Sequence, residues 1–271
     1  MYDFIERSIQ VYRDYKTDRD YVVRDGEIVI VDEATGRISE GRRWSRGIHQ
    51  AIEAKENVKV SVDTATNAKI TVQSFVSRYP HMAGMTGTAF TSKREFNKIY
   101  GMGVTVIPTN RKRQRKELPI KYFPTEDAKL EQMAADVKEI HEIGRPILIG
   151  TRSIAKSEIV SRALQEIGVE HDVLNARQVE REAEIVESAG EAGRVTVATN
   201  MAGRGTDIKI DDEVRELGGL HVIGTEMHES SRIDQQLFGR CGRQGDPGTV
   251  QLYICAEDKF CLLYTSPSPR D

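Results

Sequence analysis

The sequence predicts an α/β fold built on a doubly wound parallel sheet. Five short, almost continuous apolar runs occur in the second half of the chain, and such runs are typical of strands buried on both faces. Helix-like segments separate the runs, and strands that alternate with helices form parallel sheets. The five runs are residues 146–150, 171–174, 195–198, 220–224 and 250–254.

Composition agrees with this class. The chain has 271 residues, of which 38% are hydrophobic and 30% charged, enough for one good core and part of another. No apolar stretch approaches the ~20 residues of a membrane helix, and the first residues lack the apolar region of a signal peptide. The three cysteines form no Cys-x-x-Cys pair, which favours reduced thiols in the cytoplasm and excludes a zinc ribbon within this chain.

The first 60 residues alternate helix-like and strand-like patterns. Residues 21–31 predict two strands joined by a hairpin turn at Asp25-Gly26. Residues 41–55 predict a basic helical segment. Residues 68–107 predict a further strand and helix around residues 84–89.

The basic run at residues 111–116 predicts an exposed linker between domains. Contact with nucleic acid is the alternative, but the net charge is −3 and no aromatic residue for base stacking interrupts the run. The regular part of the chain begins after it. Apolar residues with helical spacing from Leu130 to Ile143 predict a helix that ends at Gly144.

A glycine-rich turn near residue 204 is the first half of a candidate site. Residues 197–208 lead from an apolar strand through Gly203, Arg204 and Gly205 to Asp207. This order places backbone amides and a carboxylate at the carboxyl edge of a strand, where nucleotides bind in open α/β sheets. An ordinary loop with an Asp cap is the alternative for such a turn.

The second half of the candidate site is a segment that contains Gln236, Arg240 and Arg243. On one helix, the two arginines could direct their guanidinium groups at a γ-phosphate across a cleft. Surface ion pairing is the alternative for these arginines. The sequence contains no Gly-x-x-x-x-Gly-Lys-Ser/Thr phosphate loop and no Gly-Lys pair, so only half of an ATPase site is predicted.

One apparent Walker B strand is rejected. Residues 28–33 form an apolar run that ends in Asp32-Glu33, the pattern of a magnesium-binding strand. No phosphate loop precedes this run. We therefore predict a strand without a magnesium site here.

Several motifs in order resemble the SecA family, the motor ATPases of bacterial protein export. The string Asn-Met-Ala-Gly-Arg-Gly-Thr-Asp-Ile at residues 200–208 is far more specific than a general helicase motif. The resemblance extends from about residue 3 to residue 260. The other matching motifs are Ala-Gly-Met-Thr-Gly-Thr-Ala at residues 83–89, Pro-Thr-Asn at 108–110, Val-Leu-Asn-Ala at 173–176, Gly-Gly-Leu-His at 218–221 and Gly-Arg-Gln-Gly-Asp at 242–246.

This resemblance implies a RecA-like fold with parts of two further domains. Residues 1–66 resemble the C-terminal part of the preprotein cross-linking domain, and residues 67–107 the C-terminal segment of the first nucleotide-binding domain. Residues 108–260 resemble the second nucleotide-binding domain. Residues 261–271 instead resemble a translated sequencing adapter, and two prolines exclude the helix with which the family continues, so we expect an artefactual tail.

The resemblance also implies the roles of individual residues. Arg243 matches the arginine finger, with Arg240 beside it, and Asp207 matches the acid that contacts the ribose of ATP. The remaining matches are Gly203, Arg204 and Gly205 in the coupling loop, Gln236 at the nucleotide, and Thr86 and Thr88 in the motif that links hydrolysis to domain movement, although these threonines could simply cap a helix.

The implied cofactors are ATP and Mg²⁺, with the magnesium ligands outside this chain. The implied partners are unfolded preproteins, the SecY channel complex, acidic lipids and a second copy of the intact parent, at the cytoplasmic face of the cell membrane and without nucleic acid. The fragment alone is expected to be inactive. A nucleic-acid helicase module and a pure protein-binding fragment are the alternatives. Departures at Val179, Ser231 and Phe238 leave a housekeeping and an accessory form both open.

Overall fold

The computed structural model describes residues 2–31, 38–39, 41–62, 70–174, 182–199, 206–228, 230–258 and 261. The chain divides into two compact units, one of residues 61–110 and one that combines residues 1–60 with residues 111–271. Within the described ranges, no helix is both long and apolar enough to cross a membrane.

A small antiparallel sheet forms the first part of the larger unit. The predicted hairpin is confirmed: β1 and β2 pair in antiparallel register, and Asp25 and Gly26 have φ values of 52° and 78°. Positive φ at both turn residues matches the right-handed twist of the strands. The elements are α1 (Tyr2–Asp14), β1 (Tyr21–Arg24), β2 (Glu27–Val31), β3 (Ile38–Ser39) and α2 (Ile48–Lys55).

The helix predicted over residues 41–55 is shorter than expected, because α2 begins only at Ile48. Arg46 and Gly47 both have left-handed backbones, with φ values of 62° and 77°, and such residues cannot extend a right-handed helix. Trp44, in the segment before them, packs its ring edge-on against Tyr15 with 5.1 Å between centroids.

The smaller unit contains helices only, within the described residues 70–110. The strand predicted in this region is therefore wrong for that range. The Thr71 hydroxyl accepts a hydrogen bond from the Ser74 backbone and begins a helix at the start of this range. The elements are α3 (Val72–Val76), a 3₁₀ helix (Ala89–Ser92) and α4 (Lys93–Tyr100).

A parallel sheet of seven strands forms the rest of the larger unit. The five predicted strands are confirmed, and the strand order is β4-β10-β9-β6-β8-β7, with β5 also paired to β10. Every pairing in this sheet is parallel. The strands are β4 (Gln114–Glu117), β5 (Lys121–Phe123), β6 (Ile147–Thr151), β7 (Asp172–Leu174), β8 (Val195–Thr199), β9 (Leu220–Gly224) and β10 (Pro247–Cys255).

Helices cover both faces of this sheet, so the doubly wound class is confirmed. Ile147 and Ile149 of β6 pack in one buried cluster, whereas Leu148 between them packs in another on the opposite face. The predicted helix that ends before Gly144 is also confirmed. The helices are α5 (Glu126–Glu142), α6 (Ile154–Glu166), α7 (Glu182–Ser188), α8 (Asp212–Glu216) and α9 (Ser231–Phe238).

The linker predicted at residues 111–116 is wrong for its second half, because Gln114–Glu117 form β4. The strand has no apolar pattern, since it is held by backbone hydrogen bonds to β10 at the sheet edge rather than by burial. Polar side chains are common on edge strands because they discourage aggregation.

We expect Gly219→Ala to destabilise the protein more than Gly168→Ala. Both glycines have left-handed backbones, with φ values of 74° and 75°. A Cβ at Gly219 would lie 2.0 Å from the Pro247 carbonyl oxygen of β10, whereas a Cβ at Gly168 would meet nothing within 4 Å. The shared backbone strain costs about 1 kcal/mol, and the clash should add about 2 kcal/mol for Gly219→Ala.

The measurement is the free energy of unfolding in urea for both variants. Gly168→Ala is the matched control, because it carries the backbone strain without the clash. Equal losses in the two variants would show that close packing of β9 on β10 contributes nothing.

Candidate functional site

The strands of the parallel sheet end at a common edge, as their parallel direction requires. Thr151 ends β6, Thr199 ends β8 and Thr225 follows β9, and all three side chains are buried. The Thr199 hydroxyl has no hydrogen-bond partner within the described ranges. This carboxyl edge therefore offers polar groups where an open α/β sheet binds its ligand.

Asp207 and Arg243 meet beside the start of β10 and not at the carboxyl edge, because Arg243 lies in the loop directly before Pro247, the first residue of that strand. Arg243 Nη1 donates to Asp207 Oδ1 at 2.7 Å and to the Thr206 carbonyl at 3.4 Å, while Nε donates to the Gly239 carbonyl at 2.8 Å. The Asp207 and Arg243 side chains remain 46% and 35% exposed. The structure thus brings together one residue from each predicted segment.

The prediction that Arg240 and Arg243 share one helix is wrong. Helix α9 ends at Phe238, and both arginines lie in the loop that follows. This loop cannot be helical, because Gly242, Gln244 and Gly245 have φ values of 66°, 54° and 84°. The helical pattern of residues 236–243 missed the left-handed Gly242, and two more left-handed residues follow directly after this range.

Of the other predicted residues in these two segments, two lie in the described part of the chain and three do not. Arg240 is buried, with 8% of the residue exposed, and Gln236 is partly buried on α9. The three predicted loop residues Gly203, Arg204 and Gly205 lie outside the described residues.

Thr86 and Thr88 lie in the smaller unit and contact each other. Their hydroxyl oxygens are 3.1 Å apart, and the Thr88 backbone N–H donates to the Thr86 hydroxyl at 3.3 Å. Thr88 precedes the 3₁₀ helix at Ala89–Ser92. The Thr88 side chain makes no capping hydrogen bond to that helix, and the predicted coupling role stays a prediction.

A buried ion pair lies at the carboxyl edge and was missed by the sequence analysis. Lys129 Nζ of α5 lies 2.5 Å from Asp258 Oδ1 and donates to the Thr225 carbonyl at 2.9 Å. Asp258 Oδ2 accepts from the Cys255 backbone N–H at 2.8 Å, and burial raises the pKa of the neighbouring Glu226. Because 129 residues separate the ion-paired side chains, no local pattern predicts their contact.

The rejected Walker B segment lies in the small antiparallel sheet and not in the parallel sheet. Its apolar residues form β2, which pairs antiparallel with β1 and β3 in the small sheet. Asp32 and Glu33 lie outside the described residues. The position of the strand agrees with the rejection.

The side chains of Asp207 and Arg243 fit part of a nucleotide. A carboxylate such as Asp207 accepts hydrogen bonds from sugar hydroxyls, and a guanidinium such as Arg243 donates to phosphate oxygens. No Gly-Lys pair is available for the β- and γ-phosphates. The residues therefore fit one side of ATP and do not form a complete site.

Two family descriptions match this chain. Residues 108–215 and 209–269 match the SecA P-loop domain, and residues 1–53 match the SecA preprotein cross-linking domain. Together these matches cover more than half of the chain.

Similar proteins carry the same family name. Protein translocase subunit SecA 2 of Rhodopirellula baltica is 57% identical over 265 residues, which are 95% of this chain and 40% of that protein. Protein translocase subunit SecA of Halothermothrix orenii is 54% identical over 262 residues, 97% of this chain and 31% of that protein. The chain thus spans less than half the length of these relatives.

Among solved structures, E. coli DEAD-box protein SrmB is 22% identical, with a TM-score of 0.45, over 56% of this chain and 84% of that chain.

We expect Lys129→Met to lower the free energy of unfolding by about 3 kcal/mol or more, because it leaves the Asp258 carboxylate buried without its cation. Lys129→Met with Asp258→Asn should recover about 2 kcal/mol, because the amide is neutral and still accepts from Cys255. Urea unfolding measures both. Lys138→Met is the matched control, because Lys138 lies exposed on the same helix. A loss no larger than that of the control would contradict a structural role for the pair.

Proposed function

Because this chain belongs to the SecA family, we propose that it forms part of a motor that uses ATP to move unfolded preproteins through the SecY channel. The observation that carries the proposal is the contact of Asp207 with Arg243, which brings the two predicted segments together. The two family matches and the relatives named as translocase subunits support it.

In this proposal Asp207 binds the ribose and Arg243 acts as the arginine finger. An arginine finger stabilises negative charge that grows on the γ-phosphate in the transition state. The two side chains are paired with each other in the structure, so nucleotide would replace this ion pair. Such an exchange is inexpensive, because exposed ion pairs contribute only about 0–1 kcal/mol.

The other candidate residues have supporting roles in the proposal. We assign Arg240 the position beside the finger, and its burial makes Arg243 the more accessible of the two. On the family resemblance, Gln236 and the loop at residues 203–205 would contact nucleotide, and Thr86 with Thr88 would couple hydrolysis to movement.

The phosphate loop and the magnesium ligands would come from another part of a longer protein. The sequence contains neither a Gly-Lys pair nor a Walker B strand in its parallel sheet. Bound Mg²⁺ would neutralise the charge that develops on the transferred phosphoryl group. The part of the reaction that we assign to this chain is ribose binding and charge stabilisation by Arg243.

The partners are also proposals. Unfolded preproteins, the SecY channel complex, acidic lipids at the inner face of the cell membrane and a second copy of the intact protein follow from the family. Nucleic acid is not proposed, because the relatives are named translocase subunits and the net charge of −3 gives no general attraction to phosphate.

We expect Arg243→Lys in the longer protein to lower kcat for ATP at least about a hundredfold while the Kd for ATP stays within about threefold, since a finger acts mainly in the transition state. Asp207→Asn should instead raise the Kd about tenfold and change kcat little, because the ribose contact is present in both states. Binding of a fluorescent nucleotide and phosphate release are measured side by side.

Arg232→Lys is the control, because Arg232 lies exposed on α9. Unfolded preprotein with channel-containing membranes should stimulate the parent enzyme, and RNA or DNA should not. Stimulation by nucleic acid alone would favour the helicase alternative. Loss of binding with preserved turnover in Arg243→Lys would reverse the two assigned roles.

A further inference from the structure

The loop that carries Arg243 is held by a segment from a distant part of the sequence. We call residues 239–246 the finger loop and residues 111–115 the connector. Arg115 Nη1 donates to the Phe238 carbonyl at 2.7 Å, at the start of the finger loop. Gln114 Nε2 donates to the Gly245 carbonyl at 2.6 Å, near its end. Hydrogen bonds from the connector therefore bracket the loop.

The two segments also pack closely. Gly242 has a φ of 66°, and a Cβ there would lie 2.7 Å from Arg115 Cβ. Gly245 has a φ of 84°, and a Cβ there would lie 2.9 Å from Arg111 Cβ. The side-chain stems of the connector thus occupy the space that these two glycines leave.

Sheet register keeps the connector beside the loop. Strand β10 begins directly after the finger loop and pairs in parallel with β4, which begins within the connector. Pro247 lies opposite Gln114, and Gly248 lies opposite Arg115. A shift of β4 along β10 would therefore move the two hydrogen-bond donors relative to the loop.

Arg113 shows that charge alone does not explain these contacts. It lies on the same segment, is half exposed and pairs with Glu117. Arg115 also contacts Glu117, at 3.3 Å, but its side chain is only 12% exposed and reaches the end of α9. The two arginines therefore differ in how deeply their side chains are buried and in the groups that they contact.

We propose that Arg115 and Gln114 are positioning residues for Arg243, so that the connector sets the place of the arginine finger. The proposal rests on the proposed function of Arg243. The connector follows directly in the chain from the smaller unit, which ends at Asn110. A displacement of the chain at that residue would pass through the connector to both ends of the finger loop, and hence to Arg243.

Cys241 provides a local readout of the finger loop. It lies inside the loop and is 4% exposed, with Sγ 3.6 Å from the Phe238 carbonyl. Burial raises the pKa of this thiol to about 11. Alkylation of Cys241 therefore requires the loop to open. Cys255 is also buried, at the far end of β10, and serves as an internal control.

The experiment measures alkylation rates of both cysteines by iodoacetamide and peptide mass spectrometry. We expect Arg115→Ala to raise the rate at Cys241 about tenfold and Gln114→Ala about threefold, with Cys255 unchanged, because each loses one bracketing hydrogen bond. Arg115→Lys keeps one donor and should restore most of the protection. Arg113→Ala is the matched control and should change neither rate.

An unchanged Cys241 rate in both alanine variants would overturn the proposal, and so would equal increases at Cys241 and Cys255. If Arg115→Ala does not fold, Gln114→Ala decides the question by the same criteria. These rates need no ATP hydrolysis, so they are independent of the proposed ATPase role.

In the longer protein, Arg115→Ala should lower kcat for ATP about tenfold and leave KM within about twofold, because it displaces a group that acts in the transition state. Arg115→Lys should restore most of kcat. An unchanged kcat despite faster alkylation of Cys241 would overturn the positioning role. Retained turnover in Arg243→Lys would instead refute the role of Arg243 as an arginine finger. The contacts between the connector and the finger loop would not be affected by that result.

Discussion

The parallel pairing of β10 with β9 on one side and with β4 and β5 on the other is the constraint on which the site depends. It fixes the strand that leaves the finger loop and brings the connector beside it. It also holds the start of β10 in place, next to the loop in which Arg243 meets Asp207. The position of the Arg243 guanidinium therefore depends on the backbone pairing of β10 with its neighbouring strands.

The two ion pairs of the parallel-sheet region differ in how firmly they are held. Where β9 and β10 end, Lys129 and Asp258 form a buried pair with further hydrogen bonds to backbone groups, and breaking such a pair is costly. Before the start of β10, Asp207 and Arg243 are partly exposed and weakly held by each other. The exposed pair can therefore exchange its partners when nucleotide binds, as the proposed function requires.

The sequence could predict whatever depended on local apolar pattern. Strands β6, β8 and β9 are buried along their whole length, and the hairpin at Asp25-Gly26 has distinctive turn residues. The polar strand β4 carries no such pattern, and the left-handed Gly242 interrupts the expected arginine helix. The contact of Arg115 with the Phe238 carbonyl joins residues 123 positions apart, so only the three-dimensional fold reveals it.

The central claim is that this chain supplies one side of an ATP site and not a complete one. The most direct test is steady-state phosphate release by the purified chain with ATP and Mg²⁺. The account predicts no release above background, because no lysine of a phosphate loop and no magnesium-binding acid are supplied to the phosphates. Sustained turnover that Arg243→Ala abolishes would contradict it, because a complete site would then lie within these residues.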